Sequence, residues 1–276
     1  MTDVVTFKVF GLFMICGRNV VYFAILGSLE AAASGTPIPI TAPKQRAVLA
    51  TLLIDANNDV PVDRLTQYVW DGRPPVAAQT TLQSYIYRLR QLLRPIRDVE
   101  LQTSSASYML QVDPGKVDVW AFKNHVAEAR EKAFHGDLQE SVRSLRKGLS
   151  LWRGDALAGV PGEFIQQEAG FLTDERIAAY EDLFSAEIAL GNHRKIIPEL
   201  QKVVSIYQFH ETLRAQLMLA LYRSGRQAEA LQAYGLVRRK LRNDLGIEPG
   251  PELQELHKSI LEQVPARTIV LQSLAG

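Results

Sequence analysis

Between Gly72 and Arg97 this sequence has no aspartate or glutamate, yet it holds five arginines there: Arg73, Arg88, Arg90, Arg94 and Arg97. An acid-free basic window excludes a surface meant for a cationic partner and suits one meant for phosphate. Cysteine is almost absent as well. The single Cys16 cannot form an internal disulfide, so a reducing cytoplasm is the expected compartment. Long uncharged runs are lacking too. The most apolar stretch, Val4 to Leu29, is broken by Lys8 and Arg18, and burying an arginine at a bilayer centre costs about 3 kcal/mol. No membrane segment is expected, and the stretch has neither the leading charge nor the small-residue cleavage site of a signal peptide.

Catalytic patterns are missing in the same way. The sequence contains no Gly-x-x-x-x-Gly-Lys phosphate loop, no His-Glu-x-x-His and no Gly-x-Ser-x-Gly. Its five histidines (His125, His135, His193, His210, His257) stand singly, without metal-ligand spacing, and the carboxylates are spread as solvating charge. No enzyme, cofactor or metal site is expected. The whole chain offers no general electrostatic pull either, since 31 basic residues face 30 acidic ones for a formal charge of +1. Any nucleic-acid binding must come from a local patch.

What is present is a soluble globular composition, 47% hydrophobic and 22% charged, in 276 residues, enough for two domains. Phe23–Leu29 and 38–40 read as short strands around the turn cluster 34–37. The echo of Phe7–Leu12 in Phe23–Leu29 leaves two options: a short strand repeat, or a domain that begins near Val21 behind a 1–21 extension. Thr41 is placed to cap a helix with Pro43 in its first turn and an apolar stripe of Val48, Leu49, Leu52 and Leu53. A shorter helix follows at 62–70 and stops at Gly72 and Pro74-Pro75.

The next helix, Thr80–Leu93, lies inside the acid-free window. At 100° per residue, Leu82, Ile86, Leu89 and Leu93 fall on one side. Thr80, Ser84, Tyr87 and Gln91 fall opposite, with Gln83, Arg88 and Arg94 on the shoulders. A merely soluble face would use Glu and Lys, whereas these side-chain types donate to phosphates and read base edges. Two alternating runs, Val99–Thr103 and Tyr108–Val112, then make a hairpin at wing distance. Short strands, three helices and a terminal hairpin predict a winged helix-turn-helix.

From Val119 onward the pattern is helical: Ala121–His135, Leu138–Leu151, Glu163–Leu190, Lys195–Tyr207, Glu211–Ser224, Gln227–Leu245 and Pro251–Gln263, with Asp113-Pro114-Gly115 at the junction. Gly191 and Gly225 stand 34 residues apart, the tetratricopeptide period. Five and nine residues beyond Gly225 that repeat wants a small and an aromatic residue, and Ala230 and Tyr234 stand there. Ile196 and Leu200 after Gly191, and Ser141 and Leu145 after Gly136, match less well. The expected fold is mainly α: a winged helix-turn-helix (α+β) and then an all-α tetratricopeptide-like stack. Such stacks present a groove suited to a protein partner.

Several stretches resemble the Streptomyces antibiotic regulatory protein (SARP) family. Pro43-Lys44-Gln45-Arg46-Ala47-Val48-Leu49-Ala50, Val62-Asp63-Arg64-Leu65, Thr81-Leu82-Gln83-Ser84-Tyr85 and Tyr108-Met109-Leu110-Gln111-Val112-Asp113 are similar to its DNA-binding domain. Leu151-Trp152-Arg153-Gly154, the stretch from Gln216 to Leu231 and Leu245-Gly246-Ile247-Glu248-Pro249-Gly250-Pro251-Glu252-Leu253 are similar to its bacterial transcriptional activation domain. The likeness runs from about 22 to 261. It implies an OmpR-type winged helix at 22–117, an activation domain at 118–264 and a tail at 265–276. It implies a cytoplasmic, nucleoid-associated activator that binds direct repeats in promoter DNA, usually as a side-by-side dimer. Such a protein would recruit RNA polymerase to secondary-metabolite genes. The loop from Asp71 through Gly72, Arg73, Pro74 and Pro75 to Ala77 would face the polymerase. Where the family generally has glycine, Ser107 stands here and would make the wing turn less free.

On this reading Thr80, Gln83, Ser84, Tyr87, Arg88 and Gln91 approach DNA from the helix. Lys44, Arg64, Arg90, Arg94 and Arg97 neutralise phosphates. The alternative left open is a tetratricopeptide adaptor whose winged helix serves protein contact.

Overall fold

The computed structural model describes residues 21–33, 35–94, 96 and 98–269, with backbone alone at 21 and 22. Residues 1–20, Arg97 and 270–276 lie outside the described residues, and with them the N-terminal echo and one expected phosphate contact. The chain divides into two compact units. The first runs through Asp118 and takes in Gly159–Ile165. The second comprises Val119–Ala158 and everything from Gln166 on.

The first unit opens with β1 (Val21–Ala24), β2 (Glu30–Ala33) and β3 (Thr36–Pro37), an antiparallel sheet in that order. The expected single strand over 23–29 is therefore cut short. Its cause is Asp118, whose carboxylate is 1% exposed and accepts the backbone N–H groups of Ile25 (2.8 Å) and Leu26 (2.9 Å). Those donors leave the ladder, and pairing resumes at the alanines of β2, whose weak strand propensity hid them from the sequence pattern.

Helices α1 (Pro43–Ile54), α2 (Val62–Trp70) and α3 (Ala78–Leu93) follow. Thr41 does not cap α1. The N-cap is Ala42, with no side-chain bond, and Pro43 occupies the first helical position, where a missing N–H is harmless. Val48, Leu49, Leu52 and Leu53 are fully buried, as their spacing requires. The unit closes with β5 (Val99–Thr103) and β6 (Ser107–Val112), joined by β4 (Val60–Pro61), a two-residue strand too short to show in a pattern. Asn57, in the left-handed region at φ 66°, docks its amide on both the N–H and the carbonyl of Val112. Ser107 does not strain the wing: its backbone φ is negative and its hydroxyl donates to Asp59 at 2.6 Å.

The second unit is all helix: α4 (Asp118–Phe134, apart from its first residue), α5 (Leu138–Leu149), α6 (Glu163–Ala189, from its second turn), α7 (His193–Ile206), α8 (Glu211–Arg223), α9 (Gln227–Leu245) and α10 (Pro251–Leu261). Gly191 and Gly225 sit at φ 80° and 79°, the left-handed conformation that ends one helix and turns the chain into the next. All six repeat positions are core. Ala230, Ile196, Leu200 and Leu145 are at most 1% exposed, and Ser141 and Tyr234 stay under a tenth. Leu145, Ile196 and Leu200 depart from the repeat in residue type but not in place. Among the described residues no helix is long and apolar enough to cross a membrane.

Candidate nucleic-acid interface

The α3 sequence fixes its own orientation. Leu82, Ile86, Leu89 and Leu93 are between 0% and 2% exposed and pack toward α1 and α2. Burying four such side chains contributes roughly 1.5–3 kcal/mol each, far more than any contact on the other face, so the core decides which side meets solvent. That side carries Thr80, Gln83, Ser84, Tyr87, Arg88, Gln91 and Arg94, all exposed, with Tyr87 at 61%. Tyr85 is half-buried and stacks on Trp70 with ring centroids 6.4 Å apart. The guanidinium groups of Arg88 and Arg94 make no hydrogen bond or ion pair with a described residue. Ser84 donates its hydroxyl back to the Thr80 carbonyl at 3.1 Å, a bond it can exchange for another acceptor.

Three further basic residues expected at DNA have partners inside the unit. Arg90 Nε donates to the Leu101 carbonyl of β5 at 2.8 Å, and its guanidinium also bonds the Thr103 hydroxyl. Arg90 thereby fastens the wing to α3. The Lys44 ammonium bonds the Val69 carbonyl in the last turn of α2, where a cation suits the helix dipole. Arg64 pairs with Asp55 at 2.7 Å and lies over the Tyr68 ring at 5.1 Å. Most of these partners lie on other elements, so residue type and spacing in the sequence do not announce them. Positioning residues such as Asn57, Asp59 and Asp118 are unreadable for the same reason.

The loop between α2 and α3 begins in a left-handed turn, with Asp71 at φ 51° and Gly72 at 73°. Asp71 is tied down: its carboxylate accepts the Glu163 backbone N–H at 2.6 Å, the open N-terminus of α6. Phe164 stacks on Tyr68 at 5.2 Å beside it. Gly72, Arg73, Pro74, Pro75 and Val76 are exposed. A hollow of about 500 Å³ beside the wing is lined by Asp98, Glu100 and Asp113, and its acidity makes it a poor phosphate site. No group of three or more His, Cys, Asp or Glu side chains is placed to hold a metal among the described residues.

Comparison with known proteins gives this arrangement its lineage. Residues 35–109 match the C-terminal domain of transcriptional regulatory proteins, and 117–261 match the bacterial transcriptional activator domain. Regulatory protein DnrI of Streptomyces peucetius is 38% identical over 87% of this chain and 92% of its own length. The chain belongs to the Streptomyces antibiotic regulatory protein family. Regulatory protein AfsR of Streptomyces coelicolor is 37% identical over 88% of this chain, which spans 24% of that longer protein. The solved structure of Mycobacterium tuberculosis EmbR in complex with a low-affinity phosphopeptide superposes with a TM-score of 0.84 at 35% identity. It covers 90% of this chain, which spans 66% of the EmbR chain. The chain is thus a transcriptional regulator by family, with a winged helix-turn-helix followed by a tetratricopeptide-like stack.

Proposed function

We propose that the chain activates transcription by seating α3 in the major groove of promoter DNA and recruiting RNA polymerase. The single observation carrying this reading is the exposed α3 face, where amide, hydroxyl and guanidinium donors stand together without an acid among them. A helix of this size fits the major groove, and Arg and Gln are the residue types that pair bidentately with guanine and adenine. Gln83, Ser84, Tyr87, Arg88 and Gln91 then face base edges. Thr80 at the first turn and Arg94 and Arg97 past the last turn meet phosphates.

Lys44, Arg64 and Arg90 act one step back, holding α2 and the wing where those contacts need them. The targets are direct repeats, read by two copies side by side, upstream of genes for a secondary metabolite such as an antibiotic. The site of action is the cytoplasmic nucleoid. The exposed loop Arg73–Val76, anchored through Asp71, faces the polymerase. Likeness to the family supports these finer points.

The testing experiment is a DNase footprint of the purified chain on the upstream regions of its neighbouring genes. Protection of paired direct repeats a whole number of helical turns apart is expected. No protected region, or binding indifferent to salt, would contradict the reading.

A further inference from the structure

Beyond α10 the described residues, up to Ile269, stay with the second unit. Gln263 adopts a left-handed turn at φ 56°, and the Val264 N–H reaches back to the Ser259 carbonyl at 3.0 Å. The segment that follows then meets two neighbouring side chains at the end of α8. The Tyr222 hydroxyl donates to the Val264 carbonyl at 2.8 Å. Arg223 donates from Nε to the Ala266 carbonyl at 3.2 Å and from Nη2 to the Ile269 carbonyl at 2.9 Å. Its third nitrogen, Nη1, holds the Ile188 carbonyl near the end of α6 at 3.4 Å.

The three bonds that Tyr222 and Arg223 make to the described residues of the segment all end on backbone carbonyls. Pro265, Arg267 and Thr268 are exposed, while Val264, Ala266 and Ile269 are half-buried. Tyr222 and Arg223 lie inside the region matching the activator domain, which ends at 261, whereas the segment they hold lies beyond it.

We propose that Tyr222 and Arg223 form an exchangeable site for peptide main chain, whose occupant here is the chain's own segment Val264–Ile269. The ligand class is a peptide that turns so as to present carbonyls at positions i, i+2 and i+5. Main-chain recognition tolerates sequence, so the site excludes little on the basis of side chains. The contact is also shallow: the net gain of each hydrogen bond is of the same order as the entropy lost in ordering one residue. Covalent attachment to α10 is what keeps the segment in place, by giving it a local concentration on the order of millimolar. A free peptide supplied at that concentration competes with it on equal terms.

The test uses the full chain with Cys16→Ser and Arg267→Cys, the new thiol carrying a fluorophore. The probe is a synthetic peptide of residues 264–270. Dye anisotropy starts high and falls as the peptide enters the millimolar range. Tyr222→Phe, which removes one hydroxyl and leaves the packing, lowers the starting anisotropy and raises the peptide midpoint. Arg223→Gln does both more strongly, and a thermal melt shows whether that variant stays folded. Anisotropy that ignores millimolar peptide, or is unchanged by Tyr222→Phe in a normally melting protein, would overturn the proposal. Anisotropy lost on dilution of the protein alone would assign the segment to a second copy and overturn the occupancy within one chain.

Discussion

Replacing Arg90 by alanine separates a residue that holds the wing from one that touches DNA. The guanidinium bonds the Leu101 carbonyl and the Thr103 hydroxyl of β5. Hydrogen bonds from a charged donor contribute about 1.5–3 kcal/mol when shielded. Here Arg90 is half-buried and its second bond is exposed, so a loss of about 1–2 kcal/mol is expected for the pair. If DNA needs the wing in place, binding must repay that loss, and 1.4 kcal/mol is a factor of about ten. A phosphate contact leaves a different mark, because each neutralised phosphate adds about 0.9 to the slope of log affinity against log salt. Arg90→Ala should therefore bind a promoter duplex about tenfold more weakly with its salt slope unchanged, and unfold at lower denaturant. Arg94→Ala should lower the slope by about 0.9 and leave unfolding alone. Fluorescence anisotropy between roughly 50 and 200 mM salt, with a denaturant melt of each variant, measures both. A slope that drops by about one in Arg90→Ala, with normal unfolding, would refute the positioning role.

Other outcomes follow from the same contacts. Leu89→Ala, at a fully buried position of α3, should cost about 2–5 kcal/mol in a denaturant melt and abolish DNA binding with it. Asp118→Ala leaves the Ile25 and Leu26 N–H groups buried without their carboxylate and should cost at least about 2 kcal/mol. Gly225→Ala places a side chain in a left-handed turn at φ 79° and should cost about 1 kcal/mol, read by thermal unfolding. Burial, helped by Arg223, lowers the pKa of His193, and burial with Arg238 lowers that of His257. The unfolded chain then takes up protons that the folded histidines refuse. Stability of the second unit should hold above the ordinary histidine range and fall as pH drops through it, and His193→Gln should flatten that fall in melts across pH.

The long periodic elements were legible because burial alone decides them. The α2 and α9 bounds are those the pattern predicts, and the four-residue apolar stripe of α3 is the buried one. The wing was legible from alternation, and the helical hairpins from Gly191 and Gly225. What sequence could not show is contact between distant residues. Asp118 interrupts a strand more than ninety positions earlier, and the alanines of β2 are strand only because neighbours pair with them. The same blindness affects the site. Residue type marks Gln83, Tyr87, Arg88 and Gln91 and equally Lys44, Arg64 and Arg90, but it does not show that the last three have partners at Val69, Asp55 and β5.

Specificity is the most direct test of the claim that α3 reads DNA. The measurement is the ratio of affinities, at about 150 mM salt, for a duplex carrying the paired direct repeats and one of equal length with the repeats scrambled. A ratio of about 10³ or more is expected for the native chain. Gln83→Ala with Arg88→Ala should reduce that ratio by about 10² while leaving most of the affinity for the scrambled duplex. Equal affinity of the native chain for the two duplexes, or a ratio that survives both substitutions, would contradict that claim.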